Sequence, residues 1–168
     1  MTKTLITLCT YNECENIALL IPELHAVAPQ ATILIIDDNS PDGTGQLADQ
    51  LSAADPRVQV LHRAGKQGLG TATLAGFCYA IDNEFEFVVN LDADFSHNPK
   101  YIPELIAQMS QCDVAIASRY VRGGGVAGWT AGRKLMSQSI NFWARLCLGL
   151  STEDNSGSFR CYRVSKLT

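Results

Sequence analysis

Two aspartates one residue apart, Asp92 and Asp94, stand where the apolar run Val88-Val89-Asn90-Leu91 ends. On an extended backbone residues i and i+2 point the same way, so both carboxylates can face one ligand. Paired hard oxygen donors suit Mg²⁺ or Mn²⁺, and such an ion would also hold phosphate oxygens. Acidic residues are common in polar loops after strands, so the pair alone decides little. Two companions sharpen it. Thr10-Tyr11-Asn12-Glu13 and Asp37-Asp38-Asn39-Ser40-Pro41-Asp42-Gly43-Thr44 also follow apolar runs. Their carboxylates can accept bonds from a base N–H or from ribose hydroxyls, and Tyr11 offers a ring for stacking.

Such loops act together only if the fold brings them to one edge. Strands are expected at Thr4–Leu8, Thr32–Ile36, Val58–Leu61, Phe85–Leu91 and Asp113–Ala117. Between them, helices are expected over Ile17–Leu24, Thr44–Leu51, Leu69–Ile81 and Pro99–Met109, the last with Asn98 as its cap. Pro22 predicts a kink or a restart in the first helix. Strands alternating with helices imply an α/β fold with a mostly parallel sheet flanked by helices. Its ligand crevice would lie beyond the carboxyl ends of the strands. Residues 134–150 predict a helix carrying Leu135, Ile140, Phe142, Trp143, Leu146, Leu148 and Leu150. Packing on the sheet is the favoured place for it. The alternative is a helix at a membrane surface, where Trp143 and Arg145 would be at home. Trp129, in the Gly123–Gly132 loop, is a candidate lid.

Composition bounds the class. The 168 residues, 46% apolar and 18% charged, suit one globular domain. No apolar stretch approaches the ~20 residues of a membrane span. The N-terminus shows no signal-peptide pattern, and the six cysteines lack metal spacing. Buried free thiols in a reducing cytosol are expected, and with them a cytoplasmic location. Charge is lopsided: residues 1–118 hold 15 acidic and 5 basic side chains, whereas residues 119–168 hold 2 and 8. Either a solvated basic face or a basic wall facing an anionic ligand held by the acidic half is expected. Nucleic acid is not the expected partner, because the larger, acidic part would repel it. Asp38-x-Ser40-x-Asp42-Gly43 imitates a calcium loop, but it follows a strand and is interrupted by Pro41. Gly65-x-x-Gly68-x-Gly70 lacks the spacing of a dinucleotide fingerprint and reads instead as a flexible loop near nucleotide or sugar.

Taken in order, five segments resemble a family 2 glycosyltransferase. They are Cys9-Thr10-Tyr11-Asn12-Glu13, Asp37–Thr44, Lys66-Gln67-Gly68-Leu69-Gly70-Thr71-Ala72, Asp92–Pro99 and Ser118-Arg119-Tyr120-Val121-Arg122-Gly123-Gly124. The Ser-Pro-Asp-Gly-Thr and Ser-His-x-Pro extensions, with Asp154–Arg163 later, are similar to the polyprenol (dolichol) phosphate mannosyltransferase branch. That resemblance implies a GT-A type fold, a nucleotide-diphosphate sugar donor (GDP-mannose), a polyprenyl phosphate acceptor and a peripheral site at the cytoplasmic membrane face. It implies one catalytic domain over 1–168. Within it, 1–118 binds nucleotide and metal, and 119–168 forms a basic acceptor side expected to be truncated at its C-terminus.

Carried over by position, Thr10, Tyr11, Glu13, Ile36, Asp37, Asp38 and Ala93 would meet the nucleotide. Asp92, Asp94 and Ser96 would hold Mg²⁺ or Mn²⁺, and Arg119 and Arg133 would complete the catalytic set against phosphates. Arg160 and Arg163 would face the acceptor. Cys9 and Ser156 depart from the common proline and threonine. Two other readings stay open: a UDP-sugar enzyme acting on a saccharide, and a nucleotide-binding domain without turnover. Oligomeric state is not legible.

Overall fold

The computed structural model describes residues 3–121, 124–125 and 130–167; the candidate lid Trp129 lies outside them. Every strand and helix expected before residue 119 is present. Strands β1 (Thr4–Thr10), β2 (Thr32–Asp37), β3 (Val58–His62), β4 (Phe87–Asp92) and β5 (Val114–Ile116) alternate with helices. These are α1 (Cys14–Val27), α2 (Thr44–Ala54), α3 (Leu69–Asp82) and α4 (Ile102–Gln108). Helix α5 (Ala131–Leu148) and strand β6 (Arg160–Arg163) complete the order. The sheet runs β3-β2-β1-β4-β6-β5. Strands β1 to β4 pair in parallel, and β6 lies antiparallel between β4 and β5.

Unbroken apolar runs make strands buried on both faces, and alternation sorts their side chains. Ile6, Leu8, Ile33, Ile35, Val89 and Leu91 pack under α1, α2 and α4. Leu5, Leu34, Ile36 and Val88 pack under α3. Helix α1 runs through Pro22 without interruption, its Ile17, Leu20, Ile21 and Leu24 facing the sheet. Asn98 caps as expected, its Oδ1 accepting from Lys100 N–H at 3.0 Å. Strand β6 is unanticipated: four residues with arginine at both ends show no strand pattern. The six cysteines are unpaired, but Cys78 and Cys147 are exposed and only Cys161 is fully buried. The expectation of buried thiols therefore fails on the outward sides of α3 and α5. Burial pushes the Cys161 thiol up to about 12.

Helix α3 approaches the sheet on small residues, Ala72, Gly76 and Ala80. A Cβ on Gly76 would sit 3.0 Å from both Thr7 Cγ2 and Ile36 Cδ1, whereas one on Gly70 meets open space. Gly76→Val is expected to lower stability by about 1–3 kcal/mol through overpacking. Gly70→Val should cost little. Urea unfolding of both variants checks the contrast.

Candidate active site

Strand register gathers the expected residues. Thr10 pairs with Asp37, Asp37 with His62, and Cys9 with Asp92, so four parallel strands end along one edge. Asn12, Asn39 and Phe95 each adopt a left-handed backbone in one of the three loops there, with φ of 62°, 57° and 59°. Phenylalanine in that region is strained, and such strain concentrates at functional loops.

The β2 loop is lashed to the start of α1. Ser40 Oγ, Thr44 Oγ1 and Asp42 Oδ2 accept the successive N–H groups of Asn12, Glu13 and Cys14 at 3.1, 2.9 and 3.2 Å. Helix starts leave N–H groups unsatisfied, and here a neighbouring loop supplies the acceptors. Asp42 also takes Thr44 Oγ1 at 2.6 Å; that bond, ahead of its backbone partners, holds its carboxyl below the usual range. Asp37, almost fully buried, accepts Thr10 Oγ1 at 3.2 Å, Ser40 N–H at 3.1 Å and Ser40 Oγ at 2.5 Å. Asp38 accepts Arg63 Nη1 at 2.7 Å and Gln67 N–H at 3.3 Å, which ties it to the glycine loop. Lys66 Nζ lies 4.0 Å from the Tyr11 ring centre. Glu13 is half-buried and accepts Asn16 Nδ2 at 2.6 Å. Ile36 and Ala93 turn their side chains into the core, leaving only backbone for any ligand.

At the end of β4, both oxygens of Asp92 take the Ser158 hydroxyl, at 3.0 and 2.9 Å. Behind it, Asn90 Nδ2 holds the Ser158 carbonyl at 3.1 Å, and Thr7 Oγ1 donates to Asn90 Oδ1 at 3.0 Å. His97 Nδ1 accepts the Asp92 N–H at 3.0 Å, so Nδ1 carries no proton and cannot donate to the Asp92 carboxylate 3.7 Å away. Burial lowers the His97 pKa, more than the nearby carboxylates raise it. Asp94 Oδ1 accepts Ser96 N–H at 3.0 Å. Burial raises the Asp94 carboxyl, but the bonds from Ser96 leave it lower than usual. Ser96, His97 and Arg119 line one cavity of about 650 Å³, together with Leu105, Ile116 and Phe159.

The donor set suits a hard divalent ion. Asp92 and Asp94 supply carboxylates at the carboxyl end of β4, the first half-buried and the second exposed, and the described residues contain no group of three His, Cys, Asp or Glu that could cage an ion. Two carboxylates completed by phosphate oxygens and water is the usual arrangement for Mg²⁺.

The arginines separate. Arg119 forms a two-pronged pair with Asp154, Nε to Oδ2 at 2.7 Å and Nη2 to Oδ1 at 2.6 Å, and Nη2 also reaches Ser156 Oγ at 2.8 Å. Arg160 folds back on its own turn, donating to the Gly157 and Asn155 carbonyls at 2.8 and 2.9 Å. Arg163 pairs with Phe87 at the opposite end of β4. There it binds Asp113 Oδ1 at 2.8 Å, so the structure does not bring it to the Asp92 edge. Arg133 sits in the first turn of α5, its N–H on the Thr130 hydroxyl at 3.3 Å.

Helix α5 reverses the expectation that it packs into the core. Its polar Ser137 and Asn141 are buried, while Leu135, Met136, Ile140, Phe142, Trp143, Leu146 and Leu148 are each more than half exposed. The apolar spacing was legible; which face points outward was not. Sequence reasoning also assigned nothing to Asn90, Ser158, Asp154 or Asn141, although Ser158 and Asp154 lie inside a recognised segment.

Known proteins match along nearly the whole chain. The model of glycosyl transferase family 2 fits residues 5–168. Polyprenol monophosphomannose synthase of Mycolicibacterium smegmatis is 45% identical over 163 residues, 96% of this chain and 62% of that protein. Undecaprenyl-phosphate mannosyltransferase of Micrococcus luteus is 39% identical over 165 residues, 98% of this chain and 68% of its own. The chain thus spans about two thirds of the length of these relatives. Glucosyl-3-phosphoglycerate synthase of Mycobacterium tuberculosis, solved with Mn²⁺, uridine diphosphate and glucosyl-3-phosphoglycerate, superposes with a TM-score of 0.71 at 15% identity. That likeness covers 98% of this chain and 57% of the other. S. aureus TarS 1-349 gives 0.64 at 17%, covering 99% and 48%. Both likenesses concern fold.

The buried pair yields a pH signature. Burial raises the Asp154 carboxyl, yet the bonds from Arg119 outweigh it and leave the pKa depressed. A depressed carboxylate stabilises the fold above its unfolded pKa of about 3.9 and loses that contribution as pH falls through the folded value. Asp154→Asn is expected to cost about 3 kcal/mol at pH 7 by leaving Arg119 without its counter-charge. The gap to the parent should shrink below about pH 4. Denaturant melts from pH 7 to pH 2 measure it.

Proposed function

Because the chain belongs to glycosyl transferase family 2, we propose that it is the GT-A catalytic domain of a metal-dependent inverting transferase. It would move a sugar, mannose from GDP-mannose, to a polyprenyl phosphate. The observation that carries this reading is the shared edge, where Thr10, Asp37 and Asp92 end adjacent strands. Nucleoside loops and paired carboxylates there lie one strand apart. The names of the relatives supply the acceptor class, a polyprenol or undecaprenyl phosphate.

Tyr11, Glu13 and Asp38 would hold the nucleoside, with Asp37 and Thr10 keeping their loops in register. Asp92 and Asp94, with Ser96 beside them, would hold Mg²⁺ or Mn²⁺. When bound, that ion neutralises charge growing on the departing diphosphate. Arg119, fixed by Asp154 and lining the cavity with Ser96 and His97, and Arg133 would add charge-assisted bonds to phosphate. Transfer passes through an oxocarbenium-like transition state. An acceptor phosphate monoester, with a second pKa of roughly 6, is already mostly dianionic at neutral pH and needs no general base. Direct attack inverts the anomeric centre.

The lipid acceptor gives the exposed face of α5 a natural occupant. Among the described residues no helix is long and apolar enough to cross a membrane. Helix α5 instead carries three basic residues and no acidic one over 18 residues. Apolar side chains outward with cations and no anions fit an anionic lipid surface, which supports a peripheral site at the cytoplasmic membrane face.

Four measurements test the proposal. Asp94→Asn should abolish transfer and weaken Mn²⁺-dependent nucleotide binding while the fold persists. Arg133→Gln should slow transfer about 10- to 150-fold, the worth of one charge-assisted bond. A short-chain polyprenyl phosphate should accept sugar and the corresponding alcohol should not; equal rates with both would promote a saccharide acceptor. Flotation with anionic vesicles, and its loss in Trp143→Glu, tests α5. A dimer in solution that hides Trp143 would assign that face to a second copy.

A further inference from the structure

One five-residue turn, Asp154–Ser158, touches three things at once. Asp154 grips Arg119: its Oδ2 accepts the backbone N–H at 3.1 Å and Nε at 2.7 Å, and its Oδ1 accepts Nη2 at 2.6 Å. Ser158 donates to both oxygens of Asp92. Asn155, between them, gives its N–H to Asn141 Oδ1 on α5 at 2.7 Å. Arg160 braces the turn from inside through the Asn155 and Gly157 carbonyls.

Helix α5 meets this hub through a polar stripe. Ser137 and Asn141 stand one turn apart and are 8% and 4% exposed. Asn141 Nδ2 donates to the Ser137 carbonyl at 3.0 Å, which fixes the amide so that Oδ1 faces Asn155. Ser137 Oγ accepts the Tyr120 hydroxyl at 2.6 Å. Tyr120 and Asn155 are the chain neighbours of Arg119 and Asp154. Each residue of the stripe therefore holds the residue next to one member of the buried ion pair.

We propose that Asn141 and Ser137 are positioning residues that couple the seating of α5 to the Arg119–Asp154 pair and, through Ser158, to Asp92. The inference rests on the lipid-surface reading of α5. A surface that engages the apolar face presses the polar stripe onto Tyr120 and Asn155 and sets the geometry of the turn. A helix held only for its own stability would transmit nothing. Buried hydrogen bonds are directional, so a change of helix seat alters the donor angle at Asn155 and, one residue before it, the Asp154 carboxylate that aligns Arg119.

The test compares the full chain with Asn141→Leu and Tyr120→Phe, which remove single polar groups while leaving the apolar face intact. Vesicles of phosphatidylglycerol and phosphatidylethanolamine are the probe. In the parent, vesicles should slow amide exchange at Arg119, Asn155 and Gly157 and raise turnover of a water-soluble short-chain polyprenyl phosphate. Both variants should still float with vesicles and bind GDP as the parent does. Their exchange at Arg119 should be about fivefold faster, the loss of one neutral hydrogen bond, and no longer respond to vesicles. Turnover, rather than the donor KM, should lose its stimulation. Unchanged exchange at Arg119 and Gly157 in both variants, or an undiminished vesicle response, overturns the coupling. A parent that transfers sugar in solution yet ignores vesicles also overturns it, and leaves the transferase reading standing. A parent whose amides respond to vesicles but which transfers nothing to the phosphate acceptor overturns the transferase reading, and leaves the coupling standing.

Discussion

A parallel sheet covered on both faces has no room for charge except where its strands end. In β1, β2 and β4 the interior side chains carry no charge, because an unpaired charge among them would cost several kcal/mol; the two buried polar ones, Thr7 and Asn90, bond to each other. Charge enters only at the last position, at Asp37 and Asp92, with Thr10 at the corresponding end of β1. Parallel pairing then puts those last positions side by side. The chemistry sits on this edge because the core expels it there.

The edge carboxylates divide by how fully their lone pairs are used. An ionised carboxylate offers about four acceptor sites. Asp154 receives four donors and Asp37 three. Both are nearly unexposed, and both hold loops in place. Asp92 shares one hydroxyl between its oxygens, and Asp94 accepts the Ser96 N–H. These two keep capacity for a cation. The acids fully occupied by the protein hold in position the acids offered to a ligand.

How much of this the sequence reveals depends on whether the governing interaction is local. Apolar runs and helical spacing place nine elements before residue 119, and Asn98-Pro99 announces its own cap. The Asp-x-Asp pair is legible because a strand's two-residue period is local too. The lashing of Asn12, Glu13 and Cys14 by Ser40, Thr44 and Asp42 is not, since it joins residues 28 to 31 positions apart. Arg119 and Arg160 read as free cations in one dimension, but in the fold they bind Asp154 and the carbonyls of its turn. Arg163 is displaced from the site by the antiparallel direction of β6, which four residues of sequence do not disclose.

Helix α5 sharpens that distinction, because its periodicity is correct and its orientation is the reverse of the usual. Fully burying a large apolar side chain is worth about 1.5–3 kcal/mol. Leaving seven of them more than half in water therefore forgoes on the order of 10 kcal/mol, comparable to the whole stability of a small domain. The inward face recovers little of this, since neutral hydrogen bonds through Ser137 and Asn141 are worth about 1 kcal/mol each. Rolling the helix by half a turn would strand Tyr120 and Asn155 without their partners. The polar stripe thus selects an orientation that is costly in water and favourable where the outward face meets another apolar phase. That balance is the physical argument behind the lipid surface proposed for α5.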